Sequence, residues 1–173
     1  MQQADEKFNK ILEQWRRYVK NGDTSIDTTI IPTAIFNSWK RCKEKNIDPY
    51  IKKNPVFLEK QLLRDLLEDN SELIKISIPF MKNLHSCVAG SGYILALFDH
   101  QGYLLELLGD EDIINRVNPN NFIIGSCWNE NIMGTNGAGT AIAQKSPVQI
   151  FGPQHYCICS RYWSGSGAPI YNT

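Results

Sequence analysis

Apolar residues recur every three to four positions through the first half of this chain, then gather into short uninterrupted runs. Phe8, Ile11, Leu12, Trp15 and Val19 fall on one stripe of a helix over residues 5–20, and Asn21-Gly22 ends it. Pro32 suits the first turn of a second helix, with Ile35, Trp39 and Cys42 as its apolar stripe and Asp48-Pro49 as its stop. Asn54-Pro55 predicts the start of a third helix with a wide face of Leu62, Leu63, Leu66 and Leu67. A break is expected at Asp69-Asn70-Ser71, after which helical spacing resumes through Leu73, Ile76, Phe80, Leu84 and Cys87-Val88. Pro79 should kink that helix, because it lacks an N–H to donate.

Beyond Gly90-Ser91-Gly92 the period changes. The runs 93–98 and 103–108 flank Asp99-His100-Gln101-Gly102 and predict an antiparallel hairpin. Acidic residues 110–112 predict a short helix over 110–117, ended by Pro119. Residues 135–144 read as a helix with a small-residue face and 147–151 as a strand. Residues 155–163 form an irregular connection, and 166–171 a last strand.

Composition narrows the class. The 173 residues carry 18 Lys+Arg and 18 Asp+Glu, which gives no electrostatic reason to expect direct nucleic-acid or membrane binding. No apolar run reaches membrane-spanning length, and the N-terminus is charged rather than signal-like. Five irregularly spaced cysteines argue for reduced thiols, so a cytoplasmic location is expected.

Chemistry concentrates in Gly125-Ser126-Cys127-Trp128-Asn129-Glu130 and the following Gly134-Thr135-Asn136-Gly137-Ala138-Gly139-Thr140. Glycine permits close approach of backbone to backbone or ligand. Trp128 offers a flat apolar wall with one N–H donor, and Glu130 a carboxylate that can accept from a polyol or hydroxyketone. Equally, Glu130 can cap the helix that follows, with Trp128 in the core. Thr135 and Asn136 stand at a predicted helix start, where free N–H groups can hold an anion or carbonyl oxygen, or where they serve as a simple N-cap.

These segments carry a family resemblance. Trp128-Asn129-Glu130-Asn131-Ile132-Met133-Gly134-Thr135-Asn136, Gly139-Thr140, Pro147-Val148, His155-Tyr156-Cys157 and Ala168-Pro169-Ile170 occur in order. Together they resemble the GAF-type sensory domain at the N-terminus of sigma-54-dependent transcriptional activators of the acetoin and dihydroxyacetone regulator group. Ser38-Trp39-Lys40-Arg41-Cys42 with Ile47-Asp48-Pro49, Ser91-Gly92 and Asp99-His100-Gln101-Gly102 match as well. The chain departs from the family pattern at Asn129, Gly137, Arg161 and Ser164-Gly165. The family commonly has serine, a bulkier residue, histidine and Thr-Cys at these places. The departures bear on ligand identity rather than on fold. The family's ATPase domain and DNA-binding helices lie outside this sequence, which also lacks a P-loop motif.

The expected architecture is therefore an α/β (α+β) fold, a GAF-like antiparallel sheet flanked by helices. Residues 1–54 form an N-terminal helical extension and 55–173 a sensor domain truncated at its last strands. By resemblance, a small metabolite binds at Trp128, Glu130, Thr135, Asn136 and His155. No catalysis, metal or cofactor is expected. Surplus apolar helix surface points to a homodimer that controls downstream ATPase and DNA-binding domains. The competing expectation is a thiol- or metal-based redox sensor or cysteine enzyme using His155, Cys157 and Cys159, whose ligand types suit zinc.

Overall fold

An extra residue in the last turn of the first helix sets which side chains face the core. A computed structural model describes residues 2–171. Helix α1 (Gln2–Trp15) runs into a π-helical turn over Arg16–Lys20, closed by the Asn21 N–H donating to the Arg16 carbonyl. The wider turn rotates the following side chains. Tyr18 is consequently buried instead of the expected Val19, stacked on Trp39 and edge-on to Phe36. Helix α2 (Thr33–Glu44) starts directly after Pro32, as its sequence predicts, and buries Ile35, Ser38, Trp39 and Cys42.

The third helix corrects the sequence expectation. Helix α3 is Lys60–Asp69, not a helix from Asn54. Asn54 is fully buried; its Oδ1 accepts from the Val56 N–H and its amide donates to the Cys127 carbonyl. Phe57 then pairs with Ser126 as a single β-bridge. Long-range bonds thus hold residues 54–58 extended where local signals favoured a helix start. Helix α4 (Ser71–Val88) follows after Asn70 alone, whose side-chain amide donates to the Leu66 carbonyl and finishes α3. Pro79 lies inside α4, which continues to Val88.

Strands β1 (Ile94–Phe98) and β2 (Leu104–Gly109) form the expected antiparallel hairpin, paired from Ile94–Gly109 to Phe98–Leu104 with an irregularity at Leu97/Phe98. Asp99 Oδ1 accepts from the Gln101 and Tyr103 N–H groups, and Gly102 takes a positive φ of 91°. Helix α5 (Glu111–Val117) then leads into a 3-10 turn at Asn118–Asn120. Helices α6 (Glu130–Met133) and α7 (Gly137–Gln144) precede β3 (Val148–Phe151) and β4 (Ser164–Gly167), which pair antiparallel from Val148–Gly167 to Phe151–Ser164.

The chain thus has the expected mixed helix and antiparallel-strand class. Among the described residues its four named strands pair as two two-stranded sheets, not as one. Two compact units result: residues 1–52 with 129–173, and residues 53–128. Within the first unit the N-terminal helices pack with residues 129–173, as in the contact of α1 with the 3-10 turn at Gly152–Gln154. The first unit's core holds Ile11, Trp15, Ile35, Trp39, Met133, Ile150 and Cys157; the second's holds Leu97, Leu104, Leu105, Val117 and Cys127.

Candidate functional site

Helical spacing places Ser38, Arg41 and Cys42 on one face of α2. Opposite them the chain makes a short helix, a sharp reversal and a second helix. Asn129 caps α6 by accepting from the Asn131 N–H, which sets Glu130 in the first turn. Gly134 reverses the chain at φ 62°, where an added Cβ would lie 2.8 Å from the Tyr156 Cβ. Asn136 caps α7 through a bond from the Gly139 N–H, and its own amide donates to the Gly134 carbonyl. This sequence of caps turns Glu130, Thr135 and Thr140 into the interior of the first unit.

The result is a buried polar cluster. Arg41 Nε donates to Glu130 Oε1 at 2.6 Å and Nη2 to Oε2 at 2.9 Å, while Ser38 Oγ lies 2.6 Å from Oε2. A carboxylate only accepts, so the Ser38 hydroxyl is the donor. Thr135 Oγ1, 2.7 Å from Ser38 Oγ, must then donate to serine, and the Cys42 thiol, at 3.7 Å, donates to Thr135. Donors therefore run Cys42, Thr135, Ser38, and end on Glu130. Thr140 Oγ1 accepts from the Asn136 N–H at 3.2 Å and stands 3.4 Å from Ser38.

Charge follows this geometry. The bond to Glu130 raises the Arg41 pKa above its ordinary value. Burial, then the Glu130 charge, pushes the Cys42 thiol up to about 11, so it stays protonated and donates. Glu130 itself is 3% exposed.

His155 belongs to a different part of the first unit, a loop fixed by two indoles. Trp15 Nε1 donates to the Tyr156 carbonyl at 3.0 Å, and Trp39 Nε1 to the Gln154 carbonyl at 2.8 Å. The buried His155 ring donates from Nδ1 to the Gly152 carbonyl at 2.9 Å, which leaves Nε2 as the acceptor of a neutral imidazole. Burial lowers its pKa to about 4. Trp128 lies in the second unit, buried edge-on to Phe122, with Nε1 donating to Ser126 Oγ at 2.9 Å.

Of the five residues expected to contact a ligand, Glu130, Thr135 and Asn136 share one hydrogen-bonded neighbourhood of the first unit, His155 belongs to another loop of that unit, and Trp128 belongs to the second unit. Sequence reading assigned no role to Ser38 and Arg41, although both lie in the quoted Ser38–Cys42 motif. Their spacing of three on a helix start-to-core face was the available signal. The thiols of the competing reading have the wrong electrostatics. Burial raises the pKa of both Cys157 and Cys159, the reverse of what a reactive thiolate needs. Among the described residues no group of three or more His, Cys, Asp or Glu is placed to hold a metal ion.

A mixed helix and antiparallel-strand fold with a buried, hydrogen-bonded Ser38–Arg41–Glu130–Thr135 cluster is the class defined here. The same fold occurs in the crystal structure of the E.coli DhaR(N)-DhaL complex. It matches a chain there with a TM-score of 0.76 and 17% identity, over 80% of this chain and 47% of that one. The chain belongs to the MimR N-terminal domain family, whose model matches residues 9–173.

Relatives point the same way. The acetoin dehydrogenase operon transcriptional activator AcoR of Bacillus subtilis is 33% identical, over 93% of this chain and 26% of its own length. A signal-transduction and transcriptional-control protein of Clostridium beijerinckii is 32% identical, over 80% of this chain and 22% of its own. The chain thus spans about a quarter of the length of these curated relatives. The resemblance read from the motifs, to the N-terminal domains of acetoin-type regulators, is borne out.

Proposed function

We propose that this chain is the regulatory input region of a sigma-54-dependent transcriptional activator that senses a small metabolite in the cytoplasm. It carries out no catalysis and needs no cofactor. ATPase and DNA-binding domains further along the full-length protein supply the output. The observation that carries this reading is the Arg41–Glu130 clamp with its donor chain. It ties α2 to the Glu130–Thr140 segment, so displacement of either moves the other. The relatives' printed roles in transcriptional control support the regulatory half.

Ligand contact is assigned to the neighbourhood of Glu130, Thr135 and Asn136 and to His155, with Trp128 as an apolar wall in its own unit. A neutral hydroxyketone or diol matches the His155 Nε2 acceptor. Binding acts by differential affinity for two arrangements of the clamp. A homodimer is the proposed assembly. Ile76, Phe80 and Leu84 recur every four residues along α4 and are 56%, 73% and 54% exposed. Sedimentation of wild type against Phe80→Lys tests the dimer, which the variant should dissociate.

The sensing test is a thermal-shift screen of neutral hydroxyketones and diols on wild type, His155→Gln and Trp128→Ala. A saturable rise in Tm in wild type, reduced in the variants, supports the assignment. If no compound raises Tm, or the variants respond like wild type, the small-molecule reading fails. A protein signal then takes its place, by analogy with the DhaR(N)-DhaL complex.

A further inference from the structure

Three arginines of the first unit turn the same edge of the guanidinium, Nε with Nη2, toward the protein. Arg17 uses that edge on Asp23 Oδ2, at 3.0 and 2.7 Å. Arg41 uses it on both oxygens of Glu130. Arg161 offers the same two atoms, both buried, and neither has a hydrogen-bond partner among the described residues.

The third guanidinium is held in place. Its plane lies over the Trp15 ring, 3.6 Å from the centroid, and Trp15 is itself fixed by its bond to the Tyr156 carbonyl. Stacking on an indole orients an arginine without using its donors. The backbone is fixed too. The Arg161 N–H donates to the Ile158 carbonyl, and Gly152, at φ 37°, lies so close that an added Cβ would stand 3.3 Å from the Arg161 carbonyl oxygen.

Among the described residues no carboxylate forms a hydrogen bond or ion pair with the Arg161 guanidinium. Its charge is opposed most by that of neighbouring Arg16. Burial first, then the Arg16 charge, lowers its pKa to about 10, so it remains a cation at neutral pH. Two desolvated donors without an acceptor are unfavourable, and a second cation nearby adds to that. An oxyanion relieves both at once, through a bidentate charge-assisted pair.

We propose that Arg161, stacked on Trp15, is the recognition element for a small-molecule oxyanion, a carboxylate or a phosphate, bound through Nε and Nη2. Entry requires a neighbouring side chain to turn away. Tyr50 is edge-on to the same indole, 6.2 Å between centroids, and half exposed, so it has solvent to turn into.

The proposal goes beyond the neutral-metabolite reading and does not depend on it. Its test titrates the 173-residue chain with acetate or with inorganic phosphate at constant ionic strength, chloride serving as the control. Binding is read by Tm and by the Trp15 indole N–H resonance. At least one of the two anions should raise Tm saturably and shift that resonance. Arg161→Gln should abolish both responses, and Arg161→Lys, which keeps the charge but loses the fork, should weaken binding about tenfold. Response to acetate alone identifies a carboxylate ligand, and to phosphate alone a phosphorylated one. Equal responses to both anions and to chloride, or an Arg161→Gln variant that binds like wild type, overturn the proposal. Should Arg161→Gln fold poorly, an Arg161→Lys variant that binds as tightly as wild type overturns it as well. Trp128→Ala and the neutral-ligand screen report on the other reading, so either can fail alone.

Discussion

Arg41 and Glu130, 89 residues apart in sequence, meet through two parallel N–H···O bonds of 2.6 and 2.9 Å. The two ends of this pair see different surroundings: the Arg41 side chain is 32% exposed and the Glu130 side chain 4%. Removing the arginine strands a buried carboxylate with Ser38 as its one remaining side-chain donor among the described residues, whereas removing the carboxylate leaves an arginine that can turn toward water. Arg41→Met should therefore destabilise by about 3–5 kcal/mol, and Glu130→Gln by distinctly less. The double variant should cost less than the sum of the two. Denaturant unfolding of the three proteins measures this; equal single-variant losses contradict the asymmetry.

The donor chain gives a second expectation. Ser38 is fully buried and stands between Thr135 and Glu130. Ser38→Ala removes the acceptor of one bond and the donor of another, and should lower stability by about 1–3 kcal/mol. Thr135→Val removes the donor to Ser38 and the acceptor of the long Cys42 thiol bond, but leaves the Ser38–Glu130 bond in place, so it should cost less. Chemical denaturation midpoints at fixed m-value decide the order.

Backbone approach in the first unit depends on Gly167 in β4. A Cβ built there would fall 2.0 Å from the Gly137 carbonyl oxygen, and 3.2 Å from the Ala141 Cβ. Gly167→Ala must push α7 away from the β3–β4 ladder, whereas Gly165→Ala, in the same strand, meets nothing within 4 Å. The first should lower Tm by several degrees and the second hardly at all. A pair of equal melting temperatures would contradict the contact.

Acid should loosen the loop that His155 anchors. Its folded pKa is about 4, lowered by burial from an ordinary 6.5. The unfolded chain then binds more protons between those values, so stability is full above about pH 6.5 and falls as pH drops toward 4. The loss at the acid end is on the order of 3 kcal/mol from this group. His155→Gln should flatten that part of the stability–pH profile, even if it lowers the plateau. A variant whose stability falls as steeply as that of wild type between pH 6.5 and 4 contradicts the assignment.

Periodicity made most elements legible. The second helix after Pro32, the break beside Asn70 and the hairpin around Asp99-His100-Gln101-Gly102 follow from rules that act within a few residues. The miss at Asn54 has the opposite origin. Asx and Pro side by side are a local helix-start signal, but the Asn54 amide is taken by the Cys127 carbonyl, 73 residues away. The burial of Tyr18 over Val19 was likewise invisible, because a π-turn is selected by packing on Trp39 and Phe36, not by its own sequence.

For the candidate site, the sequence alone determined which residue types are available and in what order, and through its motifs the family. It placed Glu130 and Thr135 near helix starts because caps and glycine turns are local. Only the tertiary structure decided that Glu130 answers to Arg41 and Ser38, and that the Arg161 guanidinium has a ring beneath it and, among the described residues, no acid paired with it. The physical reason is that a hydrogen bond or ion pair has no preferred sequence separation. Its partner is fixed by how helices and strands from opposite ends of the chain come to pack.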